Sequence, residues 1–199
     1  MKSEEKINNI RKNFETGTFT CEQVEKAGYN RTILKLMLDR RIVRKAGRGV
    51  YVFSGVYYDE EYIFQLQYKS AIFSKDSSLY LLGYLKERPE NVNVTVVQGY
   101  NCEKFKESNV RVTKVSEKYL NTGLSETITY SGNKVRLYNI ERTICDVIRT
   151  KDYPISKISD IIRKYMSSKN HDTEELLSYA KMFRISEKVS TYLNILTID

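Results

Sequence analysis

Nine consecutive positions, 40–48, hold Arg40, Arg41, Arg44, Lys45 and Arg48 and no acidic residue. Guanidinium and ammonium groups at that density suit phosphate oxygens, which supply much of the affinity for a nucleic-acid backbone. Just upstream, Asn30, Arg31, Thr32 and Lys35 offer a different chemistry. Arginine and lysine hydrogen-bond to guanine edges and asparagine to adenine edges. On a helix, Arg31 and Lys35 lie one turn apart on the same face. A basic run by itself usually means only a solvated surface, so this reading depends on the elements that carry these residues.

Those elements are legible. Thr20 with Gln23 has the spacing of a capping box. It opens a short helix over residues 21–26, which Ala27-Gly28 can end through a left-handed glycine. Asn30 is a second N-cap candidate, for a helix over 31–40. Ile33, Leu34, Met37 and Leu38 make that helix apolar on one face, while Arg31, Thr32, Lys35 and Asp39 face the other way. Two short helices on a tight glycine turn form a helix-turn-helix, whose second helix can enter a major groove. Residues 42–45 and 50–53 read as strands. The turn between them, Ala46-Gly47-Arg48-Gly49, has two glycines able to take positive φ, so the pair predicts a wing. A first helix over 3–14, with Ile7, Ile10 and Phe14 inward, completes a three-helix core, and 15–19 is expected to be a turn.

Charge and composition agree with a DNA-binding head on a different body. The net charge is +8, yet residues 1–53 hold 12 Lys/Arg against 6 Asp/Glu, a net +6, leaving +2 for the rest. The expected division is at Ser54-Gly55: a winged helix-turn-helix in 1–54 and a larger α+β domain in 55–199. With 41% hydrophobic and 29% charged residues the chain can build an ordinary core. No apolar run approaches the roughly 18 residues of a membrane span, and the first residues lack a signal-peptide core, so a cytoplasmic protein without membrane contact is expected. Three scattered cysteines (Cys21, Cys102, Cys145) read as free thiols in a reducing compartment. A single histidine, His171, speaks against His-based metal sites and most catalytic triads.

The second part alternates strand and helix signals. A tyrosine-rich helix spans 57–69 and a short strand 71–73. A helix capped by Asp76 or Ser77 runs to residue 85, before Pro89. Strands come next at 92–97 and 110–115, then a loop or short helix at 119–126. A hairpin of 127–130 with 134–138 turns over Ser131-Gly132-Asn133. Four helices end the chain: 140–149 behind Asn139, 154–166, 174–183 behind Asp172, and 187–196 behind Ser186. This predicts a small sheet with C-terminal helices. Glu141, Arg142 and Asp146 invite an active-site reading, but Arg142 and Asp146 are four apart and suit an ion pair better. Gly47-Arg48-Gly49 lacks the lysine-serine pair of a phosphate loop. The sixteen tyrosines are mostly core and rim residues rather than base-stacking ones. No catalytic, metal or cofactor constellation emerges, and residues 92–97 carry no nuclease-type carboxylates.

Three motifs in order carry a family resemblance. Ser78-Leu79-Tyr80 with Gly83 and Pro89, the strand ending at Gly99-Tyr100, and Glu141-Arg142-Thr143 with Asp146 resemble segments of AbiEi-family antitoxins. Ser78 stands where alanine is expected. With the N-terminal winged helix, the resemblance covers nearly the whole chain. It implies an antitoxin of a type IV toxin–antitoxin system for abortive infection, that is, phage resistance. Its winged helix would bind inverted repeats in its own promoter as a repressor, two copies on DNA, with the protein a monomer or weak dimer in solution. Its C-terminal domain would oppose a nucleotidyltransferase-like toxin without a stable complex. The candidates for that surface are Lys157, Arg163, Lys164, Lys181, Arg184 and Lys188. Two other functions stay open: a winged-helix regulator whose body binds a small ligand, and one whose body carries an enzymatic activity on DNA.

Overall fold

The computed structural model describes residues 3–105 and 109–196. The chain is mixed α+β with two small sheets. It divides into two compact units, Met1–Ser70 with Ile128–Val135, and Ala71–Thr127 with Arg136–Asp199. The division expected at Ser54-Gly55 therefore falls inside the first unit.

The first unit runs α1 (Ser3–Asn13), β1 (Thr18–Thr20), α2 (Cys21–Lys26), α3 (Thr32–Asp39), β2 (Val43–Gly47), β3 (Val50–Phe53) and α4 (Glu60–Gln67). The capping box forms in full. The Thr20 hydroxyl accepts from the Gln23 N–H at 3.1 Å, and Gln23 Oε1 accepts from the Thr20 N–H at 2.7 Å. Gly28 takes φ +86°, and the Tyr29 N–H closes back on the Val24 carbonyl at 3.1 Å. The inward faces of α1, α2 and α3 meet around Ile10, Phe19, Val24, Leu34 and Met37, all buried. The sheet is antiparallel in the order β1-β3-β2, with Thr18 opposite Val52 and Val43 opposite Phe53. β1 lies where a turn is expected, because three residues are too few to show alternation. Only Gly49 of the two glycines in the β2–β3 turn takes positive φ, at +71°. Gly47 instead sits at a register shift, where a Cβ would stand 2.5 Å from the Gln67 side chain.

The segment after β3 belongs to this unit because α4 covers its sheet. Ile63 packs on Val50 and Val52. Asp59 caps α4, its Oδ1 accepting from the Tyr62 N–H at 3.0 Å. Its other oxygen accepts from the Thr129 hydroxyl at 2.5 Å and from Asn133 Nδ2 at 2.7 Å. This buried carboxylate is thus fully engaged, as burial of a charge requires.

The second unit contains β4 (Ile72–Phe73), α5 (Lys75–Leu81), β5 (Val92–Val97), β6 (Val110–Val115) and α6 (Glu117–Leu120). Then come β7 (Leu124–Ile128), β8 (Lys134–Tyr138), α7 (Ile140–Arg149), α8 (Ile155–Met166), α9 (Thr173–Met182) and α10 (Ser186–Leu196). The sheet order is β6-β5-β4-β8-β7. β4 runs antiparallel to β5 and parallel to β8, and β5 runs parallel to β6. Asn139 and Asp172 cap α7 and α9 as expected, accepting from the Arg142 N–H at 3.0 Å and the Glu175 N–H at 2.8 Å. Ser74, not Asp76 or Ser77, precedes α5, and Lys75 turns left-handed at φ +47°. The hairpin's first strand lies at 124–128 rather than 127–130, which leaves Tyr130 wholly exposed.

The helical core is built from Ile144, Val147, Ile158, Ile162, Tyr165 and Leu176. Arg142 is its exception, with no exposed surface. Its Nε donates to Asp146 at 3.0 Å, and Nη1 donates to the carbonyls of Tyr119 and Thr122, each at 2.9 Å. Its guanidinium carbon lies 4.3 Å from the Tyr138 ring centroid and 4.5 Å from that of Phe183. Gly123 is required beside it: at φ +70°, a Cβ there would stand 2.5 Å from the Arg142 Cβ.

Candidate nucleic-acid interface

α3 buries Ile33, Leu34 and Met37 and leaves Thr32 and Lys35 exposed. It starts at Thr32, one residue later than expected, because Asn30 acts ahead of it. Asn30 Oδ1 accepts from the Thr32 N–H at 3.0 Å, a local turn typical of asparagine. Arg31 stands at the helix entrance and is already paired. Its Nε and Nη2 donate to the two Glu25 oxygens at 2.6 and 2.8 Å. The Arg31 guanidinium holds the Glu25 carboxyl below the usual carboxylate range, and Glu25 in turn raises Arg31. Both groups are exposed, and such pairs are worth little in water. Arg31 can therefore exchange Glu25 for another bidentate acceptor, such as a phosphate or a guanine edge. Glu25 is the residue that sequence reasoning misses: it lies six positions away across the Gly28 turn, outside any helical spacing rule.

This geometry sets an expected result for Glu25→Gln. Removing the charge that competes for Arg31 should tighten duplex DNA binding, while Arg31→Ala should relax sequence preference and cost about 1–3 kcal/mol of specific binding. Competition binding with matched operator and random duplexes measures both. Equal discrimination by Arg31→Ala and the parent chain removes Arg31 from the readout set.

The remaining candidates lie beyond α3, on the path into the β2–β3 hairpin. Arg40 and Arg41 are exposed. Arg41 closes the helix at φ +56°, and its carbonyl accepts from the Ser54 hydroxyl at 2.6 Å. Arg44 is anchored: Nη2 donates to the Val56 carbonyl at 3.2 Å, and its guanidinium lies 5.6 Å from the Tyr58 ring centroid. Tyr58 itself donates to the Ala46 carbonyl at 2.8 Å. Lys45 and Arg48 are exposed, and neither side chain has a partner among the described residues. All nine candidates thus lie on the outside of one unit, and the side chains of five of them, Lys35, Arg40, Arg41, Lys45 and Arg48, have no partner among the described residues.

The six candidates on the body are also exposed, but they are not one cluster. Arg163 pairs with Asp160 at 3.1 Å. Lys164 donates to the Gly83 carbonyl and lies 5.3 Å from the Tyr84 ring. Arg184 and Lys188 line a shallow groove with Ser186 and Glu187, and Lys157 lines a separate cleft. Lys181 is on α9. Among the described residues, no group of three His, Cys, Asp or Glu side chains could hold a metal ion. Burial pushes the Cys145 thiol up to about 12, which makes it inert. No described helix is long and apolar enough to cross a membrane.

No family model matches the chain, and no curated protein matches it significantly. Among solved structures it is similar to the crystal structure of the RV2827C protein from Mycobacterium tuberculosis. The TM-score is 0.56 at 12% identity, over 88% of this chain and 71% of that one. At that identity the likeness concerns the fold alone.

Proposed function

We propose that the first unit is a winged helix-turn-helix that binds double-stranded DNA, and that the chain is a transcriptional autorepressor and antitoxin of the AbiEi kind. The observation that carries the first part is the exposed face of α3 beside a hairpin whose Lys45 and Arg48 lack partners among the described residues. α3 lies in a major groove, with Asn30, Arg31, Thr32 and Lys35 toward base edges. Arg40, Arg41, Arg44, Lys45 and Arg48 meet phosphates or a flanking minor groove. Operator recognition uses inverted repeats with one copy of the chain on each half. The antitoxin part rests on the AbiEi-like motifs: the second unit, in the cytoplasm, counters a nucleotidyltransferase-like toxin without a lasting complex. The test is a gel shift on the DNA upstream of the chain's own gene, together with growth of cells that express the neighbouring gene with and without this chain. Retarded upstream DNA and rescued growth support both parts. Absence of specific retardation removes the repressor role, and growth arrest despite co-expression removes the antitoxin role.

A further inference from the structure

The second unit has a cleft at the end of its sheet where β4 stops and β5 and β6 begin. Its wall carries Lys75 from α5, Asn93 from β5, Arg111 from β6 and Lys157 from α8. The inner part encloses about 330 Å³, within the range of small-molecule sites. It continues into a second hollow that shares Asp76, Asn93, Arg111 and Lys157 with it.

The charges on this wall are unbalanced in a particular way. Four cations, Lys75, Arg111, Lys151 and Lys157, face two carboxylates, Asp76 and Asp152, and one oxygen of Asp76 already accepts from the Tyr153 hydroxyl at 2.5 Å. Lys75 is half-buried, and its ammonium has no hydrogen bond or ion pair among the described residues. Burial pushes Lys75 below the usual lysine range; Asp146 and Asp76 oppose this, while Arg149 and Arg111 add to it. Its backbone is held at φ +47°, a conformation that side chains other than glycine seldom adopt and that clusters at functional positions. Arg111 and Lys157 are exposed and equally without partners among the described residues. The cleft floor is fixed: Asn93 is 8% exposed, its N–H donates to the Ser77 hydroxyl at 2.8 Å, and its Nδ2 donates to the Asn91 carbonyl at 3.0 Å. A half-buried ammonium beside an unengaged guanidinium fork has the chemistry of an anion site.

We propose that this cleft binds a small molecule through a phosphate or diphosphate group, gripped by Lys75 and Arg111 with Lys157 at the rim. A phosphate fits better than a carboxylate because it carries more charge and offers acceptor oxygens to three separated cations. The wall has little apolar surface to hold a neutral ligand. The site lies in the unit that does not carry the hairpin, so the proposal is independent of the DNA-binding reading.

The test uses the full chain with Lys45→Ala and Arg48→Ala, which removes the two hairpin cations whose side chains have no partner among the described residues. Inorganic pyrophosphate, ADP and a short single-stranded oligonucleotide are titrated by calorimetry and followed by thermal shift. Pyrophosphate and ADP should bind and raise the melting temperature. Lys75→Gly and Arg111→Gln should each weaken binding by roughly tenfold or more, the scale of a missing charge-assisted hydrogen bond. Glycine suits the left-handed backbone at position 75, and Arg111 is exposed, so both variants should melt like their parent without ligand. Failure of pyrophosphate and ADP to bind overturns the proposal, as does equal binding by the two variants. Binding of the oligonucleotide alone makes the phosphate source a nucleic acid and overturns the small-molecule site.

Discussion

Arg142→Leu should destabilise the second unit by about 3–5 kcal/mol, the usual cost of removing one partner of a buried ion pair. Leucine can keep part of the apolar contact with Tyr138 and Phe183. It cannot replace the Arg142 bond to Asp146, which is left with Arg149 at 3.6 Å, nor satisfy the carbonyls of Tyr119 and Thr122 that Arg142 caps. The destabilisation should depend on pH, and its sign is set by Asp146. Burial raises the Asp146 carboxyl, while Arg142 is the largest influence holding it down. Without Arg142 the folded-state pKa rises further above its unfolded value. A raised carboxylate pKa costs stability above that pKa and recovers it as the group protonates. The gap between variant and parent should therefore be widest where Asp146 is ionised in both, and should narrow as the pH falls through the raised folded-state pKa values and the group protonates. Adding Asp146→Asn to the variant should recover part of the stability at neutral pH and flatten the profile. Denaturant melts across pH measure this. A gap that is small at pH 7, or independent of pH, means that Asp146 is not a charge stranded by the removal of Arg142.

The Arg142–Asp146 pair also shows how far the sequence reaches. Its spacing of four on a helix capped by Asn139 is legible, and the pair forms. Its two aromatic contacts are not, because Phe183 follows two further helices in the chain and Tyr138 ends a strand. Gly123 is readable as a turn glycine but not as the space that Arg142 needs. In the first unit the capping box at Thr20 and the Gly28 turn are set by local rules, and local rules suffice there. β1 is missed because its three residues gain their strand conformation from β3, not from any pattern of their own. The end of the first unit is misplaced because Ile63 packs on Val50 and Val52, an arrangement invisible to a charge count. On α3, the apolar face dictates the exposure of Thr32 and Lys35. The Glu25 latch is not legible, since it depends on how the glycine turn aims two side chains. Lys75 is the largest omission: only the backbone path between β4 and α5 reveals a lysine forced left-handed into a cleft.

Lys45→Ala with Arg48→Ala should weaken binding to specific and random duplex DNA together. These two side chains are the hairpin cations without partners among the described residues, so meeting a phosphate costs them no internal bond. Each phosphate that goes unneutralised should reduce the slope of log affinity against log salt by roughly 0.9, and the pair by about 1.8. Discrimination between upstream and random DNA should stay near that of the parent, because phosphates carry no sequence information directly. Arg44→Ala should behave differently. Its guanidinium holds the Val56 carbonyl and lies against Tyr58, so its removal should lower the melting temperature as well as affinity. Fluorescence anisotropy over a salt series, on both duplexes, separates these effects. An unaltered slope in the double variant would mean that the hairpin does not touch the backbone. Weakening confined to the upstream duplex would place Lys45 or Arg48 at base edges instead, and the division of labour between α3 and the hairpin would have to be redrawn.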